Sequence, residues 1–588
     1  MLRGLKDAPG PRAKFGPGVR KLLFFVFLEA AMVVSPAQNT TPVPQDQTPQ
    51  IPISLADRSG PSSSVYVTLD SWIYPAFDRL HALGYADTAF MGLRPWTRRS
   101  CLHILEQAAP LIERVPADAE AKGIFAALAK EFGADGEMPS KGVRAGHAEL
   151  DELYSRSLGI AGRPLTDSAH FGGTLINDYG RPYEEGFNAV DGFVARAEDG
   201  RFSLDVRGEY QHAPGRAAFP QSALDVIAQV DEIPTQPSQM LPVPQTNVFR
   251  LLDANASFHL ANYEISVGKS EDWWGPGKGG GMAWSNNAEP IYAFRINRVE
   301  PLYIPLLSRL TGPFRYEAFL GDLKGWVYPK EPWVQAQKFS FKPTRNLEFG
   351  FSRVIIFAGE GHVPLTFGSF WHSFTSFSNV PVSEKFSRND PGERHSSFDF
   401  TWRPPGLTKW VTLYSDSIVH DDTSPIDAPR RAAVNPGVYI SHFPDLPHLD
   451  LRVEGVNTDT PAGTVNGGHF IYWEEEYRNG YTNKGNLLGS WIGREGKGGQ
   501  AWLTYWLSPK ESIQLAYRNA KVAAGFLPGG TTQNDFSLRA VVRLKDDLEL
   551  TAFAQYEAWK VPLLAPGRVQ NFTSSVQLAY FPKLHWQR

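Results

Sequence analysis

From about residue 165 to the end of the chain, apolar and polar residues alternate along short segments. In residues 202–210 the apolar positions take every second place, with Ser, Asp, Arg and Glu between them. The same period of two recurs in residues 252–260, 314–320 and 536–544. Because successive side chains of a strand point to opposite faces, each segment is predicted to be an amphipathic strand.

The connections between these strands are of two lengths. Short turns are predicted at residues 343–346, 508–511 and 545–547, whereas residues 268–290 and 359–395 form long connections. Short turns at one end and long loops at the other are typical of a transmembrane β-barrel. A soluble β-propeller or β-sandwich also has alternating strands, but no repeat of the kind that a propeller requires is found. The pattern favours a closed antiparallel barrel.

Before the strands, the apolar period changes to three or four residues. Three helices are predicted, the first ending at Gly84, the second capped by Thr97, and the third lying between residues 118 and 132. Their apolar faces contain Tyr74, Phe77, Leu80 and Leu83; Leu102, Leu105 and Ala109; and Ile124, Leu128 and Phe132. We interpret residues 65–150 as a small helical bundle and residues 160–582 as the barrel.

The first 64 residues indicate export. Arg20 and Lys21 precede an apolar run over residues 22–34, and Ser35-Pro36-Ala37 provides small residues for cleavage. This is the pattern of a signal peptide, assigned to residues 1–37. Residues 38–64 are rich in Pro, Gln, Thr and Ser and are predicted to be a linker.

Composition excludes several classes of protein and of site. The 588 residues carry a formal net charge of −4, and removal of residues 1–37 leaves 52 basic and 60 acidic residues, about −8. No basic stripe suited to nucleic acid remains. The single cysteine, Cys101, excludes an intrachain disulfide and a cysteine-rich metal site, and it is predicted to be a core residue of the second helix.

Many short motifs, in order along the chain, carry a resemblance to a known family between about Val65 and Pro582. They comprise Trp72-Ile73-Tyr74-Pro75, Leu93-Arg94-Pro95-Trp96, residues 177–183, Gly186-Phe187-Asn188, residues 208–212, Trp273-Trp274-Gly275-Pro276-Gly277, Phe351-Ser352-Arg353, Asn389-Asp390-Pro391-Gly392, residues 477–483 and residues 488–493. With these motifs the chain resembles the capsule assembly Wzi family. The predicted last strand ends near Tyr580 and Phe581, so residues 584–588 trail behind it as a departure from the usual barrel end.

The resemblance implies a fold and a role. The fold is an outer-membrane barrel of about 18 antiparallel strands with a helical bundle on the periplasmic side. The role is that of a non-enzymatic surface lectin that holds exported capsular polysaccharide at the cell. The expected partners are capsular or surface polysaccharide and outer-membrane lipids, and a monomer is expected. A porin-like channel for small solutes is the alternative, because a barrel of this size is wide enough for an aqueous path.

Candidate chemistry centres on the loop around residues 271–280. Residues 275–280 fit G-x-G-x-x-G, but no helix signal follows, so a dinucleotide site is rejected in favour of a tightly turned loop. Trp273 and Trp274 offer aromatic faces for sugar rings, and Asp272 and Lys278 can bond hydroxyl groups. Tyr477, Arg478 and Tyr481 complete the predicted polysaccharide-binding set. The alternative is a loop folded into the lumen, with both tryptophans as packing.

Three further motifs could suggest catalysis or metal binding. Residues 489–493 resemble a serine hydrolase elbow but have the wrong spacing, and Glu474-Glu475-Glu476 is better explained as a luminal acidic cluster or a loop ion pair. His420-Asp421-Asp422 is better explained as loop charge than as a cation site. We therefore expect no catalytic residues, no metal and no cofactor.

Overall fold

The computed structural model describes residues 63–115, 118–140, 146–376, 382–384, 387, 389–422, 424–460, 471–582 and 584–587. The predicted signal peptide and nearly all of the predicted linker therefore lie outside the described residues. All of the elements below belong to one compact unit, Ser59–Arg588.

The alternating segments form eighteen antiparallel strands that close into one barrel, which confirms the predicted fold class. The strands are β1 His147–Ala161, β2 Gly186–Asp199, β3 Phe202–Ala213, β4 Thr246–Leu260, β5 Tyr263–Lys269, β6 Tyr292–Arg298, β7 Phe314–Asp322, β8 Trp333–Thr344, β9 Leu347–Phe357, β10 Glu393–Trp402, β11 Val411–His420, β12 Ala433–Ile440, β13 Leu449–Asn457, β14 Gly496–Ser508, β15 Glu511–Val522, β16 Thr531–Lys545, β17 Leu548–Lys560 and β18 Val569–Tyr580.

Each strand pairs with its neighbour in sequence, and β1 pairs with both β2 and β18 to close the sheet. The residues after β18 do not simply trail behind the barrel, as the sequence had suggested. Leu584–Gln587 forms a further short strand beside residues 147–150 of β1, so the ladder continues past the break after β18. Its pairing satisfies backbone groups on the first residues of β1 that would otherwise form an edge.

The two faces of the barrel wall differ in polarity. On β16 the apolar side chains of Phe536, Leu538 and Leu544 are exposed on the outside, whereas Gln533 and Asp535 are buried on the inside. This alternation, apolar outward and polar inward, is that of a barrel in contact with lipid. No α-helix among the described residues is both long and apolar enough to cross a bilayer.

The ends of the barrel also differ. Two-residue turns join β2 to β3, β4 to β5, β8 to β9, β14 to β15 and β16 to β17. The opposite end has the long connections, among them residues 162–185, 214–245, 270–291, 358–392 and 458–495. Short periplasmic turns and long outer loops are the usual arrangement, so the long-loop end is the outer end.

The described part of the chain contains six α-helices. They are α1 Ile73–Ala82, α2 Arg98–Glu113, α3 Ala119–Ser140, α4 Gln221–Asp231, α5 Leu307–Thr311 and α6 Phe367–Thr375. The first three form the predicted N-terminal helices. Thr97 caps α2 by accepting a hydrogen bond from the Ser100 amide, and Cys101 is buried in their common core with Phe77, Leu128 and Phe132.

The segment that carries these three helices, residues 63–115 and 118–140, is called the helical unit; it enters the barrel at its short-turn end, and its loops contact the inner wall. Glu348 on β9 accepts hydrogen bonds from the amides of Met91 (2.8 Å) and Gly92 (2.9 Å). Arg207 on β3 pairs with Asp70 at 2.7 Å. These two luminal charges therefore hold the helical unit in the lumen.

Candidate functional site

The connection of residues 270–291 between β5 and β6 folds into the lumen and meets the helical unit there. Trp273–Trp274 forms a two-residue strand that pairs with Leu93–Arg94. Trp274 is 0% exposed, and its Nε1 donates to Glu317 Oε2 at 3.2 Å. Trp273 is also buried and donates to the carbonyl oxygen of Gly277. Both indole N–H groups thus have internal partners.

Two luminal carboxylates hold this loop by its backbone. Asp416 accepts from the Met282 amide at 2.6 Å, and Glu454 accepts from the amides of Lys278 (2.6 Å) and Gly279 (2.9 Å). Gly275 has a φ of +138°, and a Cβ there would lie 2.5 Å from Asp416 Oδ2. The glycines of the 275–280 motif therefore let the loop approach the wall closely, with no helix after them.

Asp272, the third predicted residue of this loop, belongs to a buried charge cluster. Arg295 on β6 donates to Asp272 Oδ2 at 2.6 Å and also pairs with Glu317 on β7. Its guanidinium carbon lies 5.2 Å from the ring centre of Phe319. The single cation compensates two carboxylates away from bulk water, so this arginine fixes the loop to the wall.

Tyr481 joins the same region from the connection between β13 and β14. Its ring lies 6.3 Å from that of Trp284, and its hydroxyl donates to the carbonyl oxygen of Ala283 at 2.6 Å. We call Trp274, Trp284, Phe319 and Tyr481 the deep aromatic cluster. All four are buried, so a ligand reaches none of them unless the loops move.

Lys278 lies apart from this cluster. Its side chain is exposed, yet its ammonium nitrogen is 5.4 Å from the ring centre of Trp502, an inward-facing residue of β14. The exposed surface of Lys278 therefore faces a water-accessible part of the lumen.

Arg478 and its surroundings form the accessible part of the predicted set. Its guanidinium carbon lies 4.6 Å above the ring of Tyr328, which is 37% exposed. Arg478 also donates to the carbonyl oxygens of Glu232 (2.8 Å) and Glu475 (2.9 Å). An arginine held over an exposed aromatic ring presents both a planar donor group and an apolar face.

Tyr477 contacts this pair indirectly, because the ring of His362 contacts both Tyr477 and Tyr328. The rings of His362 and Tyr477 are 5.0 Å apart, and His362 also contacts the Tyr328 ring at 6.2 Å. His362 Nε2 lies 3.0 Å from the carbonyl oxygen of Glu476, to which it donates. We call Tyr328, His362, Tyr477 and Arg478 the outer rim cluster.

The outer rim cluster is assembled from separate outer loops. Tyr328 lies between β7 and β8, His362 between β9 and β10, and Arg478 between β13 and β14. Asn479 joins two of these loops, because its Oδ1 accepts from the amides of Val327 (2.9 Å) and Tyr328 (2.8 Å). The fixed backbone preorganises Tyr328 beside Arg478.

The end of α4 is the fourth segment that contributes to the rim. It is held by a group of ion pairs around His170, which we call the latch. His170 lies between two carboxylates, 2.9 Å from Asp167 Oδ2 and 3.0 Å from Asp231 Oδ1, and Arg494 also pairs with Asp231. Burial by itself would lower the pKa of His170, but the two carboxylates outweigh it and raise the pKa to about 10. Glu232, which accepts from Arg478, directly follows Asp231. The latch therefore supports the position of Arg478.

The seven predicted site residues thus fall into separate places. Asp272, Trp273, Trp274 and Tyr481 lie in or beside the deep aromatic cluster, Lys278 lies in the lumen, and Tyr477 and Arg478 lie in the outer rim cluster. Sequence reasoning missed Tyr328 and His362. The available signal was the motif Trp326-Val327-Tyr328 in a connection between predicted strands, with aromatic residues where a loop is expected.

The other motifs have structural explanations. Glu474 lies in a turn rather than on a strand, and its carboxylate accepts from the amides of Glu476 (2.7 Å) and Tyr477 (3.2 Å). Ser490 of residues 489–493 is fully buried, and His420 is buried at the end of β11. Within the described ranges, no group of three or more His, Cys, Asp or Glu side chains is arranged to hold a metal ion.

These features define a class: an outer-membrane β-barrel whose lumen holds an N-terminal helical unit and inward-folded loops. The family model described as capsule assembly protein Wzi matches residues 156–574 of this chain. The match spans more than half of the chain, so the protein belongs to the Wzi capsule assembly family.

Two known proteins extend this comparison. An uncharacterized 55.8 kDa protein in the cps region of Klebsiella pneumoniae is 28% identical over 164 residues, which is 28% of this chain and 31% of that protein. The solved structure of Wzi from Escherichia coli, described as a carbohydrate-binding β-barrel of the outer membrane involved in group 1 capsule assembly, superposes with a TM-score of 0.64. It is 16% identical and covers 88% of this chain and 100% of its own.

Proposed function

We propose that this protein binds exported capsular or other surface polysaccharide through the outer rim cluster and holds it at the cell surface, without catalysing a reaction. The observation that carries the proposal is the pairing of exposed Tyr328 with Arg478 at the outer end of the barrel. A sugar ring needs an apolar face to stack on and donors for its hydroxyl groups, and this pair supplies both. Membership of the capsule assembly family supports a polysaccharide as the ligand.

Protein segments fill much of the lumen, which supports the binding of polysaccharide rather than the passage of solutes. The helical unit binds the inner wall from one end, and the connections of residues 270–291 and 471–495 pack into the lumen from the other. In planar bilayers the full-length protein is therefore expected to give no steady conductance steps of the size seen for open porins. Such steps in the wild-type protein would favour the porin-like alternative.

The site residues of the proposal are those that a polymer can reach. Tyr328 and Arg478 would contact the polysaccharide, His362 and Tyr477 would position them, and Asp272, Trp273, Trp274 and Tyr481 would hold the loops. One chain closes the whole barrel, which supports a monomer as the functional unit.

The test is retention of purified surface polysaccharide from the source strain on the full-length protein in detergent. Arg478→Ala removes a charged donor, and hydrogen bonds to charged groups contribute about 1.5–3 kcal/mol, so binding is expected to weaken tenfold or more. The matched control is Arg431→Ala, which removes a surface arginine from another outer loop and should leave binding unchanged. Equal retention by wild type and Arg478→Ala, or none by either, would remove the proposal.

A further inference from the structure

The helix α6, in the connection between β9 and β10, lies against the outside of the barrel wall. Lys338 on β8 points inward to Asp399, so the neighbouring Gln337 points outward. Gln337 Nε2 donates to the Phe374 carbonyl oxygen of α6 at 3.3 Å, and Arg353, on the outer face of β9, donates to the Ser376 carbonyl oxygen. The outer ends of β8 and β9 are therefore covered from outside by α6.

Part of the wall beside α6 carries polar side chains, which is unusual for a surface that faces lipid. The outward positions Gln335 and Gln337 on β8, Arg353 on β9 and Ser396 on β10 are all buried. On β9 the uncovered apolar positions run only from Leu347 to Phe351, about 13 Å of strand, whereas on β16 they run from Phe536 to Leu544, about 27 Å. The apolar belt of such a barrel is about 25 Å tall. The part of the wall at β8–β10 that α6 leaves uncovered therefore provides only the inner half of that belt.

Beyond Arg353, the outward side chains of β9 are apolar again, but α6 covers them. Ile355 and Phe357 are buried on the outer surface, where Phe370 of α6 packs against them. The two ends of α6 also have hydrogen-bond partners, because Thr366 Oγ1 accepts from the Ser369 amide at 3.1 Å and the Ser376 amide donates to the His372 carbonyl oxygen at 2.9 Å. These caps reduce the number of unpaired backbone groups that α6 would present to an apolar medium.

The opposite side of α6 is aromatic and exposed. Phe367 is 80% exposed and Trp371 is 53% exposed. The rings of Phe367 and Trp371 stack at 6.2 Å with an angle of 11°, and those of Trp371 and Phe374 stack at 6.0 Å with an angle of 20°. The three rings form one continuous apolar stripe directed away from the wall.

We propose that α6 is a lipid-contacting element that lies in the outer leaflet and completes the apolar belt over β8–β10. Its ligand is the acyl-chain and interfacial region of the membrane. The aromatic stripe continues the apolar surface of the barrel, because it lies outside the wall, directly above the uncovered phenylalanines of β8 and β9, at the height where the exposed apolar belt ends. Aromatic residues are concentrated at this level in membrane barrels.

The test uses a spin label at Trp371→Cys in the full-length protein reconstituted into phospholipid vesicles. The only native cysteine, Cys101, is buried, so the folded protein is labelled at position 371. Leu538→Cys, on the lipid-facing side of β16, and Glu360→Cys, an exposed charged position, are the references. The expected ratio of oxygen to nickel-chelate accessibility at position 371 equals that of the lipid reference and exceeds that of the aqueous reference several-fold.

Three results would overturn the proposal. A ratio equal to that of Glu360→Cys would place α6 in water. Nickel access that is lost on addition of surface polysaccharide would make the stripe a sugar site, and dipolar broadening between labels would make it a contact with a second copy. Phe367→Cys provides a second labelled position if Trp371→Cys does not fold, and neither measurement depends on polysaccharide binding.

Discussion

The deep aromatic cluster and the outer rim cluster use the same kinds of residue for different purposes. In both places an arginine lies over one of the aromatic rings, Arg295 over Phe319 and Arg478 over Tyr328. In the deep cluster every ring is buried, and Arg295 is held by two carboxylates. In the rim cluster Tyr328 is partly exposed, and Arg478 is bonded mainly to backbone oxygens.

The two clusters differ in the donors and apolar faces that remain available to a ligand. A charge that is fully paired inside the protein stabilises the loop that it holds, and it has no capacity for another partner. A planar arginine that lies on an exposed ring keeps donors and an apolar face at the surface. We therefore assign loop anchoring to the deep cluster and ligand contact to the rim cluster, and the following predictions test that division.

The largest expected effect is on stability, from Arg295→Ala. The substitution leaves Asp272 and Glu317 buried without their cation, which typically costs about 3–5 kcal/mol. Urea unfolding of the protein in detergent micelles should show this loss, whereas Arg478→Ala should change the midpoint little. A loss of equal size in both variants would contradict the division between the clusters.

Tyr328→Ala is expected to act on binding instead. Loss of an aromatic stacking surface typically costs about 0.5–1.5 kcal/mol, so retention of polysaccharide should weaken about two- to tenfold. Trp410→Ala is the matched control, because it removes an exposed aromatic residue from the connection between β10 and β11, at the opposite end of the barrel. If both variants weaken binding equally, the effect is not specific to the rim.

Tyr481→Phe removes one buried hydrogen bond, that from its hydroxyl to Ala283, and nothing else of the deep cluster. We expect a loss of about 1 kcal/mol in the free energy of unfolding, with unchanged polysaccharide retention. The same urea titration and retention assay measure both. Weaker binding without loss of stability would move Tyr481 into the ligand site.

The most local expected effect is a pH dependence of the rim alone. Because the pKa of His170 is raised in the folded protein to about 10, protonated His170 stabilises the latch fully below its ordinary pKa, and this stabilisation is lost as pH rises through about 10. Hydrogen exchange at the end of α4 should therefore accelerate between pH 7 and pH 10, whereas exchange at Trp274 should not depend on the latch.

His170→Gln is the control for this measurement. The variant is expected to exchange faster at pH 7, and it should lack the additional wild-type increase once the intrinsic pH dependence of exchange is subtracted. An identical corrected profile in wild type and variant would show that the latch does not hold α4.

Much of this architecture follows from the sequence. The alternation in residues 202–210 and 536–544 predicted strands with one apolar face, and the period of three to four around Phe77 and Leu80 predicted a helix. The ordered motifs, from Trp72-Ile73-Tyr74-Pro75 to residues 488–493, indicated the family that the comparison shows. These features are local, since each depends on neighbours within a few residues or on a short motif.

The division between anchoring and ligand contact was decided only by the tertiary structure. Trp274 and Arg478 each lie in a loop with aromatic and charged neighbours, so the sequence predicted one role for both. Whether a loop residue is buried depends on where its loop folds, which is set by distant partners such as Glu317 on β7 and Asp416 on β11. Likewise, Tyr328 and Arg478 are 150 residues apart in sequence and meet only because the closed barrel brings their loops to one rim.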